Sequence, residues 1–304
     1  MPRIKPRHAK NEDFFFYDFI SEKETLGLSK KTIQNYRDVY ARFCREIGEK
    51  IGKDSVQKWI HQMIDSGMNP ISINFYIVHL RVFAYWLMKK GFCDSFVINK
   101  IKTQEPQIKT IPESEISILL EKPNRSSGFA EYRTWVIINF ILGTGARAST
   151  IVNLKVNDLD FSFKEIKYTH LKNKHIAIIP MSTCLEKVLK QYLMMWDIGN
   201  KYLFPDEFGK QLKVNALEHS FARYCKRRKL KRRGAHSFRH TFAKQYILNG
   251  GNAFALQKIL THSDLTMTQK YIRIFDSDLK NGFDDICPLK NFTNNKRVTK
   301  SSLT

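Results

Sequence analysis

The chain has 304 residues, of which 42% are apolar, enough for a folded protein with two hydrophobic cores and too many for a disordered one. Its 51 lysines and arginines stand against 29 acidic residues, a formal net charge of +22. A surplus of that size repels itself unless a polyanion offsets it, so nucleic acid is the expected partner. An anionic membrane surface is the weaker option, because no strongly amphipathic basic helix with an exposed aromatic face is evident. The apolar runs are read as broken by charge before the ~20 residues of a membrane span. The basic N-terminus, MPRIKPRHAKNED, lacks the apolar region of a signal peptide, so a cytoplasmic protein is expected. Cys44, Cys93, Cys184, Cys225 and Cys287 are odd in number and form no CxxC pair. That favours reduced thiols over a disulfide framework or a zinc knuckle.

The first hundred residues read as four helices. Residues 11 to about 26 have an aromatic side running from Phe14 through Phe15 to Phe19. Ser29 is placed to cap a second helix, where Ile33, Tyr36, Tyr40, Phe43 and Ile47 recur at spacings of three and four. Asp54 is the candidate cap of a third, through Trp59 and Met63 to Gly67. Pro70 suits the first turn of a fourth, with a stripe of Ile73, Ile77, Leu80, Ala84 and Leu87 ending at Gly91. Lys30, Lys31 and Arg81 are candidate contacts for a DNA backbone, although solvated surface explains each equally well. Residues 102–112 hold two prolines and no period, and read as a linker.

A second domain follows. A short helix starts at Pro112, and an apolar helix from Ala130 to Leu142 is broken by GTGAR. A further helix is expected from about Ala146, with Arg147 near an N-terminus that favours anions. The β signal comes next: Phe161, Phe163, Ile166, Tyr168 and HIAIIP fit short strands, with Lys172-Asn173-Lys174 as a polar hairpin turn. Ser182 begins a helix through Leu185, Val188, Leu189 and Leu193, and LFPDEFGKQL reads as a loop or hairpin. The helix from Lys213 to Tyr224 runs into KRRKLKRR, residues 226–233. Charge runs are usually solvated. In so basic a chain, beside the cluster described next, Lys226, Arg227, Arg228, Arg232 and Arg233 are read as backbone contacts. No phosphate-binding loop of the GxxxxGK[ST] kind and no strand-linked GxGxxG occurs.

The chemistry concentrates between Ala235 and Tyr271. His236, Arg239 and His240 share one helical face. A metal pair is one reading, but Ser237 stands where the metalloprotease motif has glutamate, and an arginine on the same face would repel a dication. Core histidines are another, plausible for His240 alone. A buried arginine calls for an anion, and a scissile phosphate supplies one. Two arginines, Arg147 and Arg239, could neutralise a phosphodiester and its transition state without a metal. The nucleophile would then be a side chain or water. Tyr271 suits if its surroundings help remove the phenolic proton, and a lysine at a hairpin tip could protonate the leaving oxygen.

The order Arg, Lys, His-x-x-Arg, His, Tyr resembles the tyrosine recombinase (phage integrase) family. GTGARASTIVNLKVNDLD resembles the family's first box and carries over Arg147. HLKNKHIAIIP resembles its β-hairpin, with Lys172 at the catalytic lysine position and Lys174 two residues on. AHSFRHTFA gives His236 and Arg239, and LTHSDLTMTQKYI gives His262 and, nine positions later, Tyr271. Two departures stand out: Thr150 replaces the usual acidic residue, and Thr261 replaces the usual glycine before the histidine.

The resemblance implies a mainly α fold with a small antiparallel sheet and two domains. These would be a four-helix core-binding domain (1–103), a linker (104–111), a catalytic α+β domain (112–292) and a polar basic tail (293–304). It also implies a site-specific recombinase that needs no metal, ATP or other cofactor. Tyr271 would form a 3′-phosphotyrosine, Lys172 would protonate the 5′ oxygen, and Arg147 and Arg239 would clamp the phosphate. His236 and His262 would assist. The implied partners are double-stranded DNA, three further copies in a tetramer on two sites, and an accessory bending or directionality factor. The rival readings are a type IB topoisomerase, which uses similar residues, and a non-catalytic DNA-binding protein of the same fold.

Overall fold

The structure, a computed structural model, describes residues 11–48, 50–103, 109–169, 176–199 and 201–261. By its internal contacts the chain divides into two compact units, Met1–Pro106 and Gln107–Thr304.

The described residues of the first unit form four helices: α1 (Asn11–Thr25), α2 (Lys30–Glu46), α3 (Lys53–Asp65) and α4 (Pro70–Lys89). Local chemistry sets their starts. The Ser29 hydroxyl accepts the Thr32 N–H, and the Asn69 carboxamide accepts the Ile71 N–H with Pro70 in the first turn. Asp54 is not the cap of α3 as expected. Gly52 holds that position, its N–H donating to the Ser55 hydroxyl, and Asp54 lies in the first turn. The core is aromatic. Phe16 stacks on Tyr40 and meets Phe83 edge-on, and Phe43 meets Trp59 edge-on. Each such ring, fully buried, contributes about 2–3 kcal/mol by leaving water. Phe14 does not join them. It is 62% exposed, and Phe16, Phe19 and Ile20 form the buried face of α1.

Helix α4 corrects the reading of apolar runs: by length and composition it could cross a membrane. Its Ile73, Ile77, Leu80, Phe83, Ala84, Trp86 and Leu87 are buried in this unit's core, which accounts for that apolar content.

The second unit is mainly helical around α6 (Phe129–Thr144), which is buried nearly all round. Helices α5 (Glu113–Leu120), α8 (Thr183–Met195), α9 (Val214–Arg227) and α10 (Ala235–Leu248) pack on it. A single-turn helix α7 (Ala148–Ile151) follows α6, and α11 (Ala253–Ile259) packs on α10.

Among the described residues, three antiparallel strands pair in the order β1 (Leu159–Asp160), β2 (Glu165–Tyr168) and β3 (Ala177–Pro180). The register pairs Ile166 with Ile179 and Tyr168 with Ala177. Ile166, Tyr168 and Ile179 face the core, while Glu165, Lys167 and Ile178 face outward, the period-two alternation of a half-buried sheet. Phe163, expected in a strand, lies in the β1–β2 turn and is 78% exposed. The Ser182 hydroxyl caps α8 through the Leu185 N–H. LFPDEFGKQL closes on a bridge between Pro205 and Gln211, with the Asp206 carboxylate accepting the Phe208 and Lys210 N–H groups.

Candidate active site

Helix α6 ends where Gly145 turns into the left-handed region, φ 66°, a conformation that favours glycine. Glycine is required there for space as well. A Cβ at Gly145 would lie 2.5 Å from side-chain carbons of both Leu260 and Phe242. The chain then passes Ala146 and places Arg147 at the N-cap position of α7. The helix expected from Ala146 is this one turn of four residues. So few aligned peptides give little dipole, so the guanidinium itself is what attracts an anion here.

Helix α10 starts after Gly234 and carries His236, Arg239 and His240 on one face. Arg239 is only 5% exposed. Its Nη1 donates to the Gly145 carbonyl at 2.6 Å and its Nη2 to the Leu260 carbonyl at 2.8 Å. Arg147 reaches the same loop. Its Nη1 donates to Leu260 O at 3.0 Å, Thr261 O at 3.3 Å and Thr261 Oγ1 at 2.7 Å. One carbonyl, that of Leu260, thus receives both arginines, and residues 113 and 21 positions apart in sequence from it converge on one point.

His236 is exposed and His240 half-buried, with ring centroids 6.0 Å apart. Burial holds the His240 imidazole below its usual pKa, and the neighbouring His236 and Arg239 push the same way. Tyr168 on β2 is a further neighbour. Burial pushes its phenol up, while Thr144 and the Arg239 charge pull it down. Two guanidiniums beside an accessible imidazole can bind a phosphodiester, neutralise its charge and exchange a proton with it. Among the described residues, no three His, Cys, Asp or Glu side chains gather as a metal site.

Lys172, His262 and Tyr271 lie outside the described residues. Of the six expected catalytic residues the structure thus describes three: Arg147 and Arg239 meet at Leu260 O, and His236 lies on the α10 face of Arg239. Sequence reasoning missed the parts that hold them: Gly145, Leu260 and the Thr261 hydroxyl. A signal for Gly145 was present in GTGAR. A backbone carbonyl such as Leu260 O leaves none.

The expected DNA contacts divide. Lys30 and Lys31 are exposed at the start of α2. Arg81 is half-buried, near Ile98 O at 3.5 Å and over the Tyr85 ring. Lys226 and Arg232 are exposed. The other arginines of the basic run have acidic partners. Arg227 and Arg228 both pair with Glu131, and Arg228 also lies over the Tyr224 ring at 3.6 Å. Arg233 forms a bidentate pair with Glu115 at 2.8 and 3.0 Å. Arg228 and Arg233 side chains are only 14% and 15% exposed, so these two tie α9 and the following loop to α6 and α5.

Comparison with known proteins gives this arrangement its class. Residues 109–278 match the profile of the phage integrase family. The chain belongs to that family. It is 24% identical over 296 residues to the tyrosine recombinase XerC of Thermodesulfovibrio yellowstonii, covering 92% of this chain and 98% of the relative. It is 23% identical to XerD of Staphylococcus epidermidis, covering 87% and 92%. Among solved structures, the Tn1549 transposon integrase in complex with circular intermediate DNA has a TM-score of 0.69 at 21% identity, over 84% of this chain and 93% of that one. A lambda integrase dimer bound to a COC′ core site has a TM-score of 0.70 at 16% identity, over 85% and 94%. These likenesses bear out a mainly helical fold with a small antiparallel sheet.

Proposed function

We propose that this chain is a site-specific DNA recombinase that cuts and rejoins DNA through a 3′-phosphotyrosyl bond. The observation that carries the reading is the convergence of Arg147 and Arg239 on the Leu260 carbonyl. It fixes two guanidiniums where one phosphate could be gripped. The family match spans all six residues of the expected set, from Arg147 to Tyr271. The roles are then these. Tyr271 attacks the phosphorus, and Lys172 gives the leaving 5′ oxygen its proton. Arg147 and Arg239 take the non-bridging oxygens, and His236 and His262 hydrogen-bond or relay protons. A 5′-hydroxyl from a second duplex attacks the phosphotyrosine, so bond energy is conserved and no ATP is consumed. Double-stranded DNA is the partner in this reading; the Tn1549 integrase structure is named as a complex with circular intermediate DNA. Four copies on two sites, a cytoplasmic setting and an accessory factor complete the reading. In it, residues 1–103 form the core-binding domain, with Lys30, Lys31 and Arg81 on the backbone, joined by residues 104–111 to the catalytic domain.

Covalent trapping tests this. Wild type and Tyr271→Phe are incubated with nicked suicide duplexes drawn from DNA flanking the encoding gene, then run on denaturing gels. A covalent adduct present in wild type and absent in Tyr271→Phe is expected. An equal adduct in both would remove Tyr271 from its role. Relaxation of a supercoiled plasmid by an isolated protomer, with no strand exchange, would favour the topoisomerase reading instead.

A further inference from the structure

Thr261 occupies a conformation that its side chain resists. Its φ is +50°, and of the three non-glycine residues with positive φ among the described ones, the other two are the unbranched Lys164 and Lys229. A β-branched side chain in the left-handed region crowds its own backbone. The position is the first beyond the C-cap of α11, where Leu260 N–H bonds back to Leu256 O and Thr261 N–H to Lys258 O. Glycine is the residue that such helix ends favour. The left-handed turn directs the Leu260 and Thr261 carbonyls toward Arg147. Glycine would supply both carbonyls with less strain. What threonine adds is Oγ1, which accepts from Arg147 Nη1 at 2.7 Å, shorter than the 3.0 and 3.3 Å to the two carbonyls.

We propose that Thr261 is a positioning residue: its hydroxyl fixes the Arg147 guanidinium, and the fold accepts a strained backbone to keep that hydroxyl there. The functional half of this rests on the recombinase reading, and the contact itself does not. The strain and the hydrogen bond make opposite demands at one side chain, so substitutions separate them. Thr261→Gly relieves the strain and deletes the hydroxyl. Thr261→Val keeps the branching and deletes the hydroxyl. Thr261→Ser keeps the hydroxyl without the branching.

The test uses the full chain with two readouts. In single-turnover cleavage of a nicked suicide duplex, Thr261→Val and Thr261→Gly should both be about tenfold slower, because a misaligned guanidinium loses transition-state contact. Thr261→Ser should stay within about twofold, and DNA affinity should be unchanged in all three. In thermal unfolding, Thr261→Gly should melt above wild type while Thr261→Val melts below it. A role in stability alone would make cleavage follow melting temperature, and Thr261→Gly would then be as fast as wild type. In an Arg147→Ala background, the difference in melting between Thr261→Val and Thr261→Ser should shrink, since the shared partner is gone. Wild-type cleavage by Thr261→Val, or a Thr261→Ser as slow as Thr261→Val, would overturn the proposal. If wild type forms no adduct at all, the recombinase reading fails. The unfolding comparison still decides the contact, and an unshrunken difference there refutes it.

Discussion

Two groups of arginines in the second unit are held in different ways. Arg228 and Arg233 meet carboxylates, Glu131 at 2.9 Å and Glu115 at 2.8 Å. Arg239 and Arg147 meet neutral oxygens, the carbonyls of Gly145, Leu260 and Thr261 and the Thr261 hydroxyl. A carboxylate fixes a guanidinium and cancels its charge. Carbonyl dipoles fix it without bringing a negative charge of their own. The first arrangement joins helices, and the second orients two guanidiniums through backbone and hydroxyl oxygens. Both order long side chains, the first through carboxylates and the second through the loop at Leu260 and Thr261.

The sharpest way to break this contrast is to remove one arginine of each kind. Arg147→Ala should lower the rate of covalent adduct formation about a thousandfold or more, while DNA binding falls little, because its charge acts on the transition state. Arg228→Met should leave the adduct rate of the folded protein unchanged and lower its melting temperature. Single-turnover trapping beside a binding titration measures both. Near-normal cleavage by Arg147→Ala would mean that a carbonyl-held guanidinium is structural after all.

A smaller effect is expected at Glu131. Burial raises its pKa, but the hydrogen bonds from Arg228 and Arg227 outweigh this and hold the carboxyl below the usual carboxylate range. A lowered folded-state value means stability that is present above the unfolded value and lost as pH falls through the folded one. Glu131→Gln should therefore cost about 2 kcal/mol at neutral pH, as a charge-assisted pair is lost, and much less in acid. Calorimetry at the two pH values checks it. An equal loss at both would show that the pair stabilises by packing and not by charge.

The same contrast explains what was legible in the sequence. His236 and Arg239 were readable because a spacing of three on a helix puts them on one face, whatever the tertiary fold. Arg147 was readable from GTGAR, since a glycine that ends a helix leaves a local mark. The capping roles of Ser29, Pro70 and Ser182 are local too, and the structure shows them. Glu131 and Glu115 carry no such mark. They lie 97 and 118 positions before the arginines they bind, and nothing local ties KRRKLKRR to them. Read locally the run is a DNA-facing strip; in three dimensions Arg228 and Arg233 also tie helices together. Asp54 shows the opposite failure: a good capping residue was present, and Gly52, two residues earlier, took the role with the Ser55 hydroxyl.

The smallest effect probes the Arg239 charge through a neighbour. His240 follows Arg239 on α10 and is half-buried. Burial is the main reason its pKa is lowered, with His236 and then Arg239 adding positive charge nearby. Folding therefore favours the neutral imidazole. The stability that this represents is present above the usual histidine value of 6.5 and is lost as pH falls through the lowered folded-state value. Wild type should melt progressively lower as pH drops below about 6.5, and His240→Gln should lack that part of the slope, a difference of about 1–2 °C. Substituting Arg239 by methionine should raise the His240 titration midpoint, followed by the imidazole resonances in NMR. If Gly145 O and Leu260 O only orient Arg239, its charge reaches His240 and the midpoint moves. An unmoved midpoint would mean that the charge is already neutralised within the site, and the distinction between the two groups of arginines would fail at its most buried member.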